Sequence, residues 1–180
     1  MGSLIQDRTQ TAATEAIGGE RGDLLQTLRQ HRGFLRYAAK GLTDEQARTR
    51  STVSALTVGG LIKHVSNCEA GWALFMEGGA GLMATGLPSE EEWANDFTMT
   101  EGETLEGLLA AYEAVAAKTD GLIATLDLDV AYPLPEAPWF EQGASWSVRR
   151  VVLHILAETT QHAGHADIVR EAIDGQKTMG

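Results

Sequence analysis

Apolar residues recur at intervals of three and four in four separate stretches of the chain, the pattern of helices that each bury one face. The first stretch, about 23–41, carries Leu24, Leu28, His31, Leu35, Ala38 and Leu42. Thr43-Asp-Glu-Gln-Ala follows and predicts a short capped turn of helix, with Thr43 as cap and Gln46 three residues on. The second, about 57–78, carries Leu61, His64 with Val65, Cys68, Trp72 and Phe75, and Gly78-Gly79 ends it. The third, about 104–126, carries Leu105, Leu108, Tyr112, Val115, Thr119, Leu122 and Leu126. The fourth, about 147–174, is closed by Gly175 and has two overlapping stripes. One is Val148, Val152, Ile155, Thr159, His162, Ala166, Val169 and Ile173; the other is Val151, Ile155, Glu158, His162, His165 and Val169.

The segments between are of two kinds. Residues 78–102 are rich in Gly and contain Pro88 and Trp93, with Ser89 placed to cap a short helix. A connection this long in a small domain is expected to cover something. Residues 127–145 hold Pro133, Pro135 and Pro138, which forbid a helix. No strand-like alternation of useful length occurs. The expected fold is all-α: an antiparallel four-helix bundle with long second and fourth connections. Residues 1–20 read as a flexible N-terminal arm and 21–176 as one domain.

Composition narrows the partners. In 180 residues the net charge is −11, with 43% hydrophobic and 22% charged residues. Phosphate binding needs clustered Lys and Arg, and no basic stripe exists, so no nucleic-acid partner is expected. No apolar run is long enough for a membrane span. A signal-peptide layout is missing from the N-terminal stretch, and the expected location is the cytoplasm. One cysteine, Cys68, excludes an internal disulfide framework.

The chemistry lies in three residues. Glu158 and His162 are four apart, one above the other on a helix face. His64 sits on a different apolar helix, where Leu or Val is expected. If these helices pack face to face, two imidazoles and a carboxylate converge, a three-ligand set that leaves positions open for water or substrate. A carboxylate on a core-facing arc is costly unless paired or metal-bound. The residues alone fit a metal site or a buried Glu–His hydrogen-bond cluster. His154 and His165 lie on the same arc, and spacing does not choose among them; His165 is the first substitute, and His154 is expected at the edge. His31 reads as structural and Cys68 as an apolar filler, although HxxxC from His64 is also a ligand spacing. Glu69 belongs beside the site or at a helix seam. Trp72, Trp93, Trp139 and Trp146 are candidate core or cleft walls, and Arg149 or Arg150 a candidate contact for an anionic substrate group. Gly-x-Ser-x-Gly, phosphate-binding Gly-rich loops, GxGxxG and HExxH are all missing, which leaves serine hydrolysis, kinase chemistry and hydride transfer without support.

The stretch GLTDEQARTRSTVSALTVGGLIKHVSNCEAGW resembles the start of the DinB/YfiT-like superfamily, where a Gly-Leu-Thr/Ser-Asp-Glu turn leads into a helix carrying Leu-x-x-His. SWSVRRVVLHILAETTQHAGHADIVREAIDG resembles the last helix of actinobacterial members, with Glu-x-x-x-His-Ala-Gly-His-Ala-Asp-Ile. Together they span about a third of the chain. The resemblance implies a metal-binding bundle whose ligands, matched residue by residue, are His64, Glu158 and His162. Many relatives have His in place of Glu158; the form with Glu is similar to the metal-binding domain of mycothiol-dependent maleylpyruvate isomerase. Activation of a low-molecular-weight thiol by a metal is the shared theme.

The implied function is a metal-dependent thiol S-transferase that uses mycothiol or a similar thiol against a small electrophile. Zn²⁺ is the first choice of ion, with Ni²⁺ or Fe²⁺ as alternatives. A metal-bound thiol loses its proton and becomes the nucleophile. In this reading His165 shuttles protons, Trp72 and Arg149 contact the cofactor, and the loops 78–102 and 127–145 shape the electrophile pocket. The alternative is a divalent-metal-binding, stress-inducible DinB-like protein without catalysis. Homodimers are common among the proteins it resembles.

Overall fold

The computed structural model describes residues 17–178. Most of the expected N-terminal arm, 1–16, lies outside the described residues. Four long helices and two short ones make up most of the rest: α1 (Gly19–Ala39), α2 (Asp44–Arg48), α3 (Val58–Ala84), α4 (Glu90–Ala94), α5 (Leu105–Thr125) and α6 (Val148–Asp174). Among the described residues the fold is all-α apart from two three-residue strands, β1 (Ala131–Pro133) and β2 (Ser145–Ser147), paired antiparallel with Tyr132 opposite Trp146. Prolines exclude helix from this stretch, as expected, and the pairing ties it to the start of α6. Counted between the four long helices, the long connections are the second and third; the fourth does not exist, because four helices have only three.

Local chemistry sets the element ends. Thr57, Thr104 and Ser147 each accept a hydrogen bond from the backbone N–H three residues on, filling one of the donors a helix start leaves open. Thr43 with Gln46 and Ser89 with Glu92 form complete capping boxes. Gly175 closes α6 in the left-handed conformation. At Gly78–Gly79 the helix breaks as expected, but it resumes to Ala84. Gly79 has φ +70°, and a Cβ there would lie 3.0 Å from the Tyr132 ring, so only glycine lets β1 approach this bend.

α1 packs chiefly along α6, and α3 lies against both α5 and α6. The apolar side chains form two clusters. One gathers Leu35, Leu61, Ile62, Val65, Tyr112 and Val169. The other gathers Leu28, Trp72, Phe75, Ile123, Val152 and Ile155. A polar layer separates them, and each long helix contributes to it: buried Arg32, Glu69, Thr119, Thr159 and His162. Arg32 grips Glu69 with two nitrogens, at 2.5 and 3.1 Å, and Asp120 with a third at 2.7 Å. Every donor nitrogen of the buried guanidinium therefore meets a carboxylate, which is what lets a charge stay inside. This ladder turns Arg32 inward in place of His31, which packs edge-on to Phe34, while Leu28, Leu35 and Ala38 of the expected stripe stay buried. No helix among the described residues is long and apolar enough to cross a membrane.

Candidate metal centre

Between the two apolar clusters, α3 presents His64 and α6 presents Glu158 and His162. One ligand-type atom from each lies within 4.8 Å of the others; among the described residues this is the group of His, Cys, Asp or Glu side chains close enough to hold an ion. His162 Nε2 is 3.5 Å from Glu158 Oε2, and His64 Nε2 is 4.0 Å from the same oxygen. Donors about 2.0–2.1 Å from a tetrahedral ion stand roughly 3.3–3.4 Å apart. To hold a divalent ion the closest pair hardly moves, while the widest, up to 4.8 Å apart, closes by about 1.4 Å. Two imidazoles and a carboxylate are also the donor chemistry such an ion takes.

His64 is held on its other side. Its Nδ1 lies 2.5 Å from Asp96 Oδ2, and its ring stacks on Phe97 at 3.8 Å between centroids. Asn67 donates to the second Asp96 oxygen at 2.7 Å. The His64 and His162 rings meet edge to face at 4.8 Å. Burial works against a charged His64, but the Asp96 hydrogen bond and the Glu158 carboxylate outweigh it and raise its pKa. Burial also disfavours ionised Asp96, yet His64 and Asn67 hold its carboxyl below the usual range. The imidazoles of His162 and His64 hold the Glu158 carboxyl far below that range, against the opposing pull of burial. Glu158 is thus no stranded core charge; its side chain is 28% exposed and faces imidazoles on α3 and α6.

The other histidines divide. His165 Nδ1 lies 3.3 Å from His162 Nδ1, behind that ring and outside the three-ligand group. His154 Nε2 is 4.0 Å from Glu158 Oε1, and its ring is wedged edge-on between Trp72, at 4.9 Å, and Trp146, at 5.1 Å. Burial lowers its pKa. His154 is therefore set into an aromatic wall rather than left at the edge. Cys68 stays outside the group, and burial pushes its thiol up to about 12. Glu69 is at the helix seam, under Arg32.

The two residues proposed for cofactor contact are placed differently from that expectation. Trp72 is 5% exposed, and Trp146 stacks on it at 4.9 Å, so the packed core uses its faces. Arg149 pairs with Glu20 at 2.5 Å and with Asp129. It also starts α6, some 13 Å along the helix axis before Glu158. The neighbouring Arg150 lies over the Trp146 ring, 4.2 Å from its centroid. Trp139, Trp93 and Phe97 are exposed. Asp96 and Phe97 were not legible as site residues; the only signal for them is the length of the connection that carries them.

A family model described as Mycothiol-S-transferase matches residues 23–175. No curated protein matches the chain. The matched span takes in α3, α5, α6, all but the first four residues of α1, and the His64, Glu158 and His162 positions, and the chain belongs to the mycothiol-S-transferase family.

Proposed function

We propose that this protein is a metal-dependent S-transferase that joins mycothiol to a small electrophile, with His64, Glu158 and His162 holding a divalent ion. The observation that carries the reading is the convergence of those three donors from α3 and α6, in a chain matched by a thiol-transferase family. The four long helices are read as an antiparallel bundle forming one domain over 21–176, and the protein as a cytoplasmic homodimer.

A bound divalent cation, Zn²⁺ first, would acidify a thiol beside it. The chain's own residues do the rest. Glu158 supplies the negative charge that balances a cation, and its lowered pKa keeps it ionised at neutral pH. His165 abuts His162 Nδ1 and so steers that ring instead of touching substrate. His154, kept neutral by burial, offers Nε2 beside Glu158 as acceptor of the thiol proton. The sulfur then bonds to the electrophilic carbon, and the leaving group departs with the electron pair of the broken bond. Trp146, Phe140 and Trp139 form the apolar wall for the electrophile, and Arg150 replaces Arg149 as the cation near that wall.

Elemental analysis of protein purified without chelators should give about one divalent ion per chain. An assay of free thiol against a soft electrophile should show consumption with mycothiol above that with glutathione or cysteine. Failure to retain Zn²⁺, Ni²⁺ or Fe²⁺ after incubation would remove the metal. Retention of metal with no thiol consumption across electrophiles would leave a binding protein without catalysis.

A further inference from the structure

The segment that follows α4 touches His64 on two sides, through Asp96 and Phe97, and its attachment to α3 is built from specific residues. Lys63 donates to the Thr98 carbonyl at 3.2 Å and pairs with Glu103 at 2.9 Å. Arg48 on α2 donates to the Thr100 carbonyl at 3.1 and 3.2 Å. The Glu103 carboxylate accepts from the Thr100 backbone N–H at 2.7 Å. Underneath, Gly60 lies directly below Phe97: a Cβ there would collide with the Phe97 carbonyl oxygen and stand 2.6 Å from its carbon. Next to it, a Cβ on Gly59 would stand 2.5 Å from Met99 Sδ. Both glycines sit in the first turn of α3, where alanine would favour the helix by about 1 kcal/mol. The bare backbone is needed because the strap lies on it.

An ionised carboxylate only accepts hydrogen bonds. The 2.5 Å contact with Asp96 therefore puts the proton of a neutral His64 on Nδ1. Nε2 is left with its lone pair facing Glu158 across 4.0 Å, beyond hydrogen-bond distance. Phe97, stacked at 21° to the ring plane, blocks rotation of the imidazole. We propose that the 95–100 strap, seated on Gly60, delivers Asp96 as the positioning residue of His64, fixing its tautomer and the direction of Nε2 toward Glu158 and His162. The inference deepens the metal reading and rests on it only for the consequence in affinity; the tautomer is a property of the metal-free chain.

Two measurements test it. In metal-free protein, at a pH where the ring is neutral, nitrogen-15 chemical shifts should show His64 with its proton on Nδ1. Asp96→Ala should lose that preference. Asp96→Asn should keep it, since its amide oxygen still accepts and Asn67 can flip to match. Zn²⁺ affinity, by competition with a chromophoric chelator, should fall about 10- to 100-fold in Asp96→Ala and much less in Asp96→Asn. Gly60→Ala should weaken Zn²⁺ binding similarly, while its circular dichroism stays helical. Gly71→Ala, also in α3 but with only the end of Met83 nearby at 3.6 Å, should not. Asp96→Ala that keeps the Nδ1 proton, or keeps full Zn²⁺ affinity, overturns the proposal. Equal losses in Gly60→Ala and Gly71→Ala overturn the seating on Gly60. A wild-type protein that binds no Zn²⁺ defeats the metal reading instead, and the shifts still decide the tautomer.

Discussion

Replacing Glu158 with Gln keeps the shape of the side chain and removes its charge, so it isolates what the carboxylate does. In the folded protein its Oε2 stands 3.5 Å from His162 Nε2 and 4.0 Å from His64 Nε2. Closing the donors on an ion takes side-chain movements of about an ångström, common to wild type and variant, which should not mask the loss. Changes at a ligand or its supporting partners cost about 10- to 100-fold in metal affinity, which is about 1.4–2.7 kcal/mol. With Zn²⁺ in excess over both dissociation constants, the same free energy appears as lost metal stabilisation of the fold. For a protein of this size it should lower the melting temperature of the metal-loaded form by roughly 3–11 °C. Without metal the sign is informative. A buried, uncompensated carboxylate would make Glu158→Gln more stable than wild type. The imidazoles facing Glu158 instead hold it ionised and lower its pKa, so the metal-free variant should melt at or below the wild-type temperature. Scanning calorimetry with and without Zn²⁺, and chelator competition, read both arms. His165→Ala serves as comparison and should lose less affinity than Glu158→Gln. Full affinity in Glu158→Gln together with loss in His165→Ala would refute the ligand set and give the third position to His165.

Other outcomes follow from the same geometry. Cys68→Ala should keep metal and transferase activity; and because burial pushes the thiol to about 12, native Cys68 should resist maleimide at neutral pH and react only on unfolding, so rapid native labelling would contradict its placement. Glu69→Gln leaves the buried Arg32 with Asp120 as its remaining carboxylate and should destabilise the fold by about 2–4 kcal/mol, somewhat under the usual cost of breaking a buried pair; a urea midpoint equal to wild type would show the pair to be unimportant. The metal-free protein should also titrate in a defined direction. His64, faced by Asp96 from the strap and by Glu158 and His162 from α6, has a raised pKa, so its contribution is full below its unfolded value of about 6.5 and is lost as pH rises through the folded value. Asp96 and Glu158 are depressed, so theirs is present above about pH 4 and is lost as pH falls through their folded values. These contributions overlap between about pH 4 and 6.5, opposed there by His154, whose lowered pKa favours the fold above about 6.5. The test is therefore the metal-free melting difference between wild type and His64→Ala, which should shrink as pH rises above about 6.5, while Zn²⁺ affinity rises with pH as His64 gives up its proton; a difference that grows with pH would contradict the His64 assignment.

What the chain specifies locally can be read without coordinates. Caps at Thr43, Thr57, Ser89, Thr104 and Ser147 and the left-handed Gly175 depend on residues within one turn, and each does in the fold what its side chain dictates. The Glu158–His162 pair is equally local, because helical pitch alone puts i and i+4 on one face. Everything that depends on how one helix meets another needed the tertiary structure. Arg32, not His31, turns inward because Glu69 on α3 and Asp120 on α5 are there to receive it. Trp72 is consumed by Trp146, and Arg149 by Glu20 and Asp129, through pairings that cross more than 70 residues in two of the three cases. His154 acquires its aromatic wall the same way, from α3 and β2. Asp96 is the clearest instance: an acidic residue in a long connection carries no periodic signal, and only the seat that Gly60 provides and the bonds from Lys63 and Arg48 fix where it falls. Local propensities span a few residues and leave their trace in spacing, whereas a side chain delivered across a bundle depends on loop path and packing that no short window of sequence contains.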